Sequence, residues 1–212
     1  MPKTTKRSKQ SHGDSRALLM SSAKKLFAKK GFDGTTIREI SDDAGVNVSL
    51  ISYNFGGKSG LLEVCIGEFG KERLQQTQEL LTPIKTAEEF TEKICLHISN
   101  FLIAHAKDLD VSKIIHWEMQ KYSPLFQDLL ESIFFKTQMA IGMFFKNAQD
   151  LGVIRKELDI RELTIMLQGV LSYHLSIDHI RAARNAPTLD NPDTIKGIVF
   201  HIKESFLRGI MN

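Results

Sequence analysis

Between residues 14 and 58, apolar residues recur at helical spacing in three short blocks, each closed by glycine, and this punctuation constrains the chain more than any other feature. In the first block, about 14–30, Leu19, Ala23, Leu26 and Phe27 share one face, and Gly31 can take the left-handed conformation that ends a helix. Thr36 and Glu39 form a capping-box pair that opens a second helix with Ile37, Ile40 and Ala44 inside. Gly45-Val46 turns the chain, and Asn47 is a cap for a third helix whose inner residues are Ile51 and Phe55. Val48, Ser49, Leu50, Ser52, Tyr53 and Asn54 are spread over the rest of that helix; Gly56-Gly57 stops it, and a fourth helix is expected over 58–81.

Two short helices joined by a tight turn, the second offering small, polar and aromatic side chains outward, suit the major groove of DNA. A recognition helix must fit the groove, present side chains to base edges, and be flanked by groups that grip phosphate. Val48, Ser49 and Leu50 stand at the front of the third helix, Tyr53 and Asn54 at its back, and Lys58 follows it. Amides at the N-termini of the helices beginning at Thr36 and Lys58 are further phosphate donors.

Charge is distributed to match. Residues 1–60 hold 11 Lys and Arg against 5 Asp and Glu, whereas the whole chain carries a net charge of just +3. Lys3, Lys6, Arg7 and Lys9 lie in a stretch almost without apolar residues, so 1–13 reads as a disordered basic arm.

Beyond Pro83 helical spacing continues, with Thr86/Glu89 and Asp159/Glu162 as capping pairs and proline following a capping residue at Ser123-Pro124 and Asn191-Pro192. No strand-type alternation persists, so the fold class is all-α, and residues 182–193 read as a surface loop. No apolar run is long enough to span a bilayer and the N-terminus does not look like a signal peptide, which points to the cytoplasm. Cys65 and Cys95 lack CxxC spacing and are expected to be reduced thiols.

Enzymatic readings fail on their own motifs. Gly57-Lys58-Ser59 ends like a phosphate-binding loop, but Ser52 stands where the first glycine belongs and no strand precedes it. His116-Trp117-Glu118 has the spacing of a zinc deaminase H-x-E, but the required Pro-Cys-x-x-Cys is missing. His174 and Asp178, one helical turn apart, form no metal set by themselves. No catalytic residue, cofactor or metal site is expected.

The run Phe27-Ala28-Lys29-Lys30-Gly31-Phe32-Asp33-Gly34-Thr35-Thr36-Ile37-Arg38-Glu39-Ile40, continuing through Ala44-Gly45-Val46 to Ile51-Ser52-Tyr53-Asn54-Phe55-Gly56-Gly57-Lys58, resembles the DNA-binding domain of the TetR family of transcriptional regulators over about 14–74. Many members have an aromatic residue where Ser52 stands. The resemblance implies that Thr36, Tyr53 and Lys58 contact phosphate and that Val48, Ser49, Leu50 and Asn54 lie near the bases. It also implies a repressor: a homodimer on palindromic double-stranded operator DNA, released by a small effector bound to a helical C-terminal domain, residues 75–212. A DNA-binding protein without an effector is the alternative.

For a largely apolar effector the candidate lining is Trp117, Tyr122, Phe134, Met139 and Met143, with His116, Glu118 and His174 as orienting polar groups. Leu163, Leu167, Val170, Leu171, His174 and Ile177 form one stripe on the penultimate long helix, and Gly169, Ser172 and Ser176 a second face of small residues. Ile195, Ile198, Val199, Ile202, Phe206 and Ile210 give the last helix a matching stripe. The resemblance implies that these helices pair with their copies, with Leu167, Gly169, Ser172, Ser176, Ile198, Ile202 and Phe206 at the interface; a core within one chain is the alternative.

Overall fold

The computed structural model describes the backbone of residues 5–121 and 124–212, and side chains from residue 14 onward except 122–125 and 130. The elements are α1 (Thr5–Lys30), α2 (Ile37–Ala44), α3 (Ser49–Phe55), α4 (Lys58–Leu80), α5 (Ala87–Lys107), α6 (Leu109–Lys121) and α7 (Pro124–Leu129). A π-helical stretch, Leu130–Phe135, leads into α8 (Lys136–Asp150); α9 (Ile160–Ser176), α10 (Asp178–Ala183) and α11 (Pro192–Ile202) follow. A second π-helical stretch, Lys203–Leu207, precedes the short α12 (Arg208–Ile210). No strand is present among the described residues beyond an isolated bridge between Ile154 and Met211. No described helix is long and apolar enough to cross a membrane.

Local signals act where the sequence places them. Thr36 and Glu39 close both halves of their capping box, and Asp159 and Asn191 accept backbone N–H bonds at the starts of α9 and α11. Gly31, Gly45 and Gly56 all have positive φ, at 74°, 66° and 73°, as the helix-ending role requires. One expectation is revised: within the arm expected to be disordered, α1 already begins at Thr5, while residues 1–4 lie outside the described residues.

Packing divides the chain into two compact units: Met1–Gly70 with Asp110–Leu130, and Lys71–Leu109 with Glu131–Asn212. The N-terminal unit is built on Leu19, Ala23, Leu26, Phe27, Ile40, Ile51, Phe55, Leu61, Leu62, Cys65 and Ile66, all buried. Residues 110–130, expected with the C-terminal half, belong here. The ring of Trp117 lies over Gly31, 3.5 Å from where a Cβ would be, Lys121 pairs with Asp33 at 3.1 Å, and Leu129 meets Gly67.

The second unit has its own larger core, with Phe90, Ile94, Ile98 and Leu102 of α5 against Ile141, Phe144 and Phe145 of α8. Phe90 stacks on Phe144 with ring centroids 5.5 Å apart. The expected loop after α10 is anchored by Leu189, which is buried and whose N–H donates to the buried Asp178 carboxylate at 2.9 Å. Arg181 donates to His174 Nδ1 at 2.7 Å and to Asp178 at 3.4 Å, so these side chains form one local polar cluster.

The stripes assigned to a subunit interface lie inside this core. Leu167 is 1% exposed, Ile198 and Ile202 are also buried, and Phe206 packs against them. Their helical spacing is equally that of an internal packing face; α9 turns that face onto α5 and α8, and α11 turns its own onto α5. The opposite side of α9 carries Ile165, Met166, Gly169, Val170, Ser172 and Tyr173, all exposed, while Ser176 is half-buried.

Candidate nucleic-acid interface

Helix α3 is held from within by Ile51 and Phe55, and its two ends are fixed by separate devices. At the front, the Asn47 carboxamide oxygen accepts the Ser49 N–H at 2.9 Å and the Ser49 hydroxyl at 2.7 Å. This is the capping role expected of Asn47, with Val48 already helical. At the back, Gly56 in the left-handed region donates to Ser52 O at 3.0 Å and turns the chain into α4.

The turn into α4 depends on Gly60, which lies outside the motif residues. A Cβ on Gly60 would sit 1.8 Å from the Phe55 carbonyl oxygen, so the end of α3 rests directly on the backbone of α4. Gly34 is similarly confined, with Lys30 O 2.5 Å from where its Cβ would be. A glycine in the first turn of a helix, where alanine would favour the helix by about 1 kcal/mol, is the signal that could have identified Gly60.

With those ends fixed, α3 presents Ser49, Ser52 and Tyr53 to solvent, and Tyr53 is 73% exposed. Val48 is exposed at the leading edge and Leu50 and Asn54 are half-buried. Asn54 Nδ2 donates to Leu50 O at 2.9 Å, which occupies one of its amide hydrogens along the helix. The surface is continuous over two turns of helix and carries no acidic side chain, a shape and polarity suited to base edges and phosphates.

The residues expected to grip phosphate differ in their present bonds. The Thr36 backbone N–H and hydroxyl both donate to Glu39 Oε2, at 2.8 and 2.9 Å, and the hydroxyl accepts from Glu39 N–H at 3.2 Å. Lys58 Nζ donates to Phe32 O at 2.9 Å and Thr35 O at 2.8 Å and lies 4.3 Å from the Phe32 ring centre. Glu39 is held down to about pKa 2, first by its bond with Lys30 and then by the Thr36 N–H and hydroxyl. Lys25, with Ser22, likewise lowers Asp43. These carboxylates stay ionised but paired with lysines of α1 at 2.6 Å, so their charge is locally balanced.

The expected effector residues fall in both units. His116, Trp117 and Glu118 belong to the N-terminal unit, whereas Phe134, Met139, Met143 and His174 belong to the second; Tyr122 lies outside the described residues. Trp117 is committed to Gly31, His116 is exposed beside Gln120, and Glu118 is buried with Lys121 3.9 Å away. Met139 and Met143 are 64% and 70% exposed and Phe134 is half-buried. Methionine and phenylalanine at helical spacing give no signal that separates a pocket wall from an outer face.

Residues 19–65 match the model of a family described as bacterial regulatory proteins, tetR family. A probable HTH-type transcriptional regulator, YttP, of Bacillus subtilis (strain 168) is 28% identical over 131 residues, covering 62% of this chain and 63% of the relative, so the alignment spans less than two thirds of that protein. The HTH-type transcriptional regulator TtgR of Pseudomonas putida is 22% identical over 170 residues, 76% of this chain and 79% of the relative. Among solved structures, the ketosteroid transcriptional regulator KstR2 of Mycobacterium tuberculosis superposes with a TM-score of 0.74 at 16% identity, covering 93% of this chain and 95% of that one. The transcriptional regulator FadR of Bacillus subtilis, in complex with stearoyl-CoA, gives 0.71 at 17% identity, covering 89% and 97%. With the helix-turn-helix geometry of α2 and α3, these findings make residues 19–65 a DNA-binding segment of the tetR family type and support a TetR-family transcriptional regulator.

Proposed function

We propose that the protein is a cytoplasmic repressor that binds a palindromic operator as a homodimer and releases it when a small, largely apolar effector binds the second unit. The observation that carries the DNA-binding part is the exposed face of α3, with Ser49, Ser52 and Tyr53 outward and both helix ends fixed. In this reading Val48, Ser49, Leu50 and Asn54 approach the bases while Thr36, Ser52 and Tyr53 adjoin the backbone.

Support for self-association comes from the outer side of α9. Ile165, Met166, Val170 and Tyr173 are large, apolar or aromatic, and exposed, and a Cβ on Gly169 between them would meet nothing within 4 Å. Phe200 on α11 is also exposed. Gly169, Ser172 and Ser176 thus keep their place at the proposed interface, joined by this stripe in place of Leu167, Ile198 and Ile202. A two-fold dimer sets its reading helices about one DNA turn apart, roughly 34–36 Å or a multiple.

The stearoyl-CoA held by the Bacillus subtilis FadR makes acyl-CoA the first effector class to test. An effector that binds the released state better lowers operator affinity by its differential affinity alone; about 3 kcal/mol of coupling gives roughly 150-fold. Helix α4, which continues from the N-terminal unit into the second, is the natural carrier. Footprinting on DNA upstream of the protein's own coding sequence, with and without a panel of acyl-CoAs and steroids, tests the reading. The expected result is an approximately palindromic protected site bound by two chains and released by one compound class. Binding without sequence preference on genome-wide fragments would overturn it, and a specific site that no effector releases would leave a regulator of constant affinity.

A further inference from the structure

We propose that α8 takes part in self-association: Phe135, Met139 and Met143 continue the outer face of α9 into one apolar surface that a second copy of this chain covers. This rests on the proposed dimer and extends it to a helix beyond α9 and α11. Phe135 closes the first π-helical stretch, and Met139 and Met143 follow it at every fourth residue. That spacing puts all three on the side of α8 turned away from Ile141, Phe144, Phe145 and Ala148 of the core. They are 56%, 64% and 70% exposed. Exposure at this level suits a surface that another chain covers; the wall of an enclosed pocket is shielded from water.

The two faces are joined at a close crossing. A Cβ on Gly142 of α8 would lie 3.7 Å from the Thr164 hydroxyl of α9, so the helices meet where both residues are small. Met139 stands one turn before Gly142 and Met143 next to it, and the exposed Ile165 follows Thr164. Residues 137–145 and 163–173 contain no charged side chain. Where these stretches end, Lys146 and Arg161 are already paired, with Asp150 at 2.5 Å and Glu162 at 3.6 Å, which suits a polar rim. The area argues for including α8. A stable homodimer buries roughly 1,000 Å² or more of each chain, about 65% of it apolar, which sets a need of roughly 650 Å². At about 200 Å² for a large side chain, the exposed parts of Ile165, Met166, Val170, Tyr173 and Phe200 supply roughly 500 Å². Phe135, Met139 and Met143 add roughly 400 Å², which meets the need.

Sedimentation of the full chain over a range of concentrations gives the dimer dissociation constant of the natural protein and of two variants. One carries Met139→Glu with Met143→Glu; the other carries Leu96→Glu, at an exposed apolar position of α5 outside the patch. The double variant is expected to weaken the dimer about 100-fold, roughly tenfold for each carboxylate taken from water, while Leu96→Glu leaves it unchanged. An unchanged constant in the double variant overturns the proposal. Peroxide oxidation of the natural protein, read by mass spectrometry, needs no variant and decides the matter if the double variant does not fold. At concentrations where the protein is dimeric, Met139 and Met143 should oxidise several-fold more slowly than Met119 of the other unit, although Met119 is the less exposed in a single chain, at 49%. Faster oxidation of Met139 and Met143 than of Met119 in the dimer overturns the proposal. A natural protein that stays monomeric throughout fails the dimer reading itself, whereas a dimer indifferent to both carboxylates fails the role of α8 alone.

Discussion

The N-terminal unit and the second unit are stabilised by different kinds of contact. In the first, single polar groups and glycines fix specific points of backbone: Lys58 on two carbonyls, the Thr36/Glu39 box at α2, Asn47 at α3, Gly60 under Phe55. In the second, stability comes from a broad apolar cluster from Leu81 to Ile210, and few of its side chains have a task that another of similar volume could not perform. A segment that must hold a short helix outward in one orientation needs directional contacts. A helical core needs volume and burial.

This contrast can be tested by making each unit fail in its own way. Phe90→Ala, in the aromatic stack with Phe144 and Phe145, should cost about 4 kcal/mol of stability in a denaturant melt. Phe90→Leu should cost far less, because the core tolerates a change of shape. Gly60→Ala should cost about 3 kcal/mol and abolish specific DNA binding, since the atom it meets is backbone and cannot rotate away. Gly67→Ala, seven residues along the same helix, meets Leu129 at an ordinary 3.7 Å and should be tolerated. Equal effects at the two glycines would remove the distinction between fixed points and general packing.

Acid should expose the second unit's weakness first. His97 and His105 are buried on α5, and burial holds their pKa down to about 4 and about 3, with the nearby Arg73 charge adding to the effect at His105. The folded chain keeps both neutral while the unfolded chain protonates them below about 6.5, so stability is complete above that pH and is lost on acidification toward 4. The expected slope approaches about 1.4 kcal/mol per pH unit for each histidine. Chemical denaturation between pH 7 and 4.5 measures it, and His97→Leu should flatten the curve. The smallest effect belongs to a local cap: Thr36→Ala should cost about 1 kcal/mol and leave the second unit's amide exchange unchanged.

The same contrast explains what was legible in the sequence. Caps and glycine stops act over three or four residues, so Thr36/Glu39, Asn47, Gly45 and Gly56 could be placed from spacing alone, and the all-α class followed from the periodicity. Contacts over long sequence separation left no such trace. Nothing near Lys58 shows that its partners are Phe32 and Thr35, and nothing near Trp117 shows that it covers Gly31. On α9 the apolar residues occupy two opposite faces. Spacing revealed the stripe through Leu167 but could not say that this one packs inside, leaving Ile165, Met166 and Tyr173 outside.

The central claim is that the outer face of α3 reads bases while the rest of its unit holds it in place. Selection of bound sequences from a random DNA pool, run in parallel for the natural protein and for Ser49→Ala, tests this most directly. The account predicts that the natural protein selects an inverted repeat, and that Ser49→Ala changes the preferred base at one position of each half-site while the salt dependence stays the same. The same preferred sequence for both proteins, with a uniform loss of affinity in the variant, would contradict it.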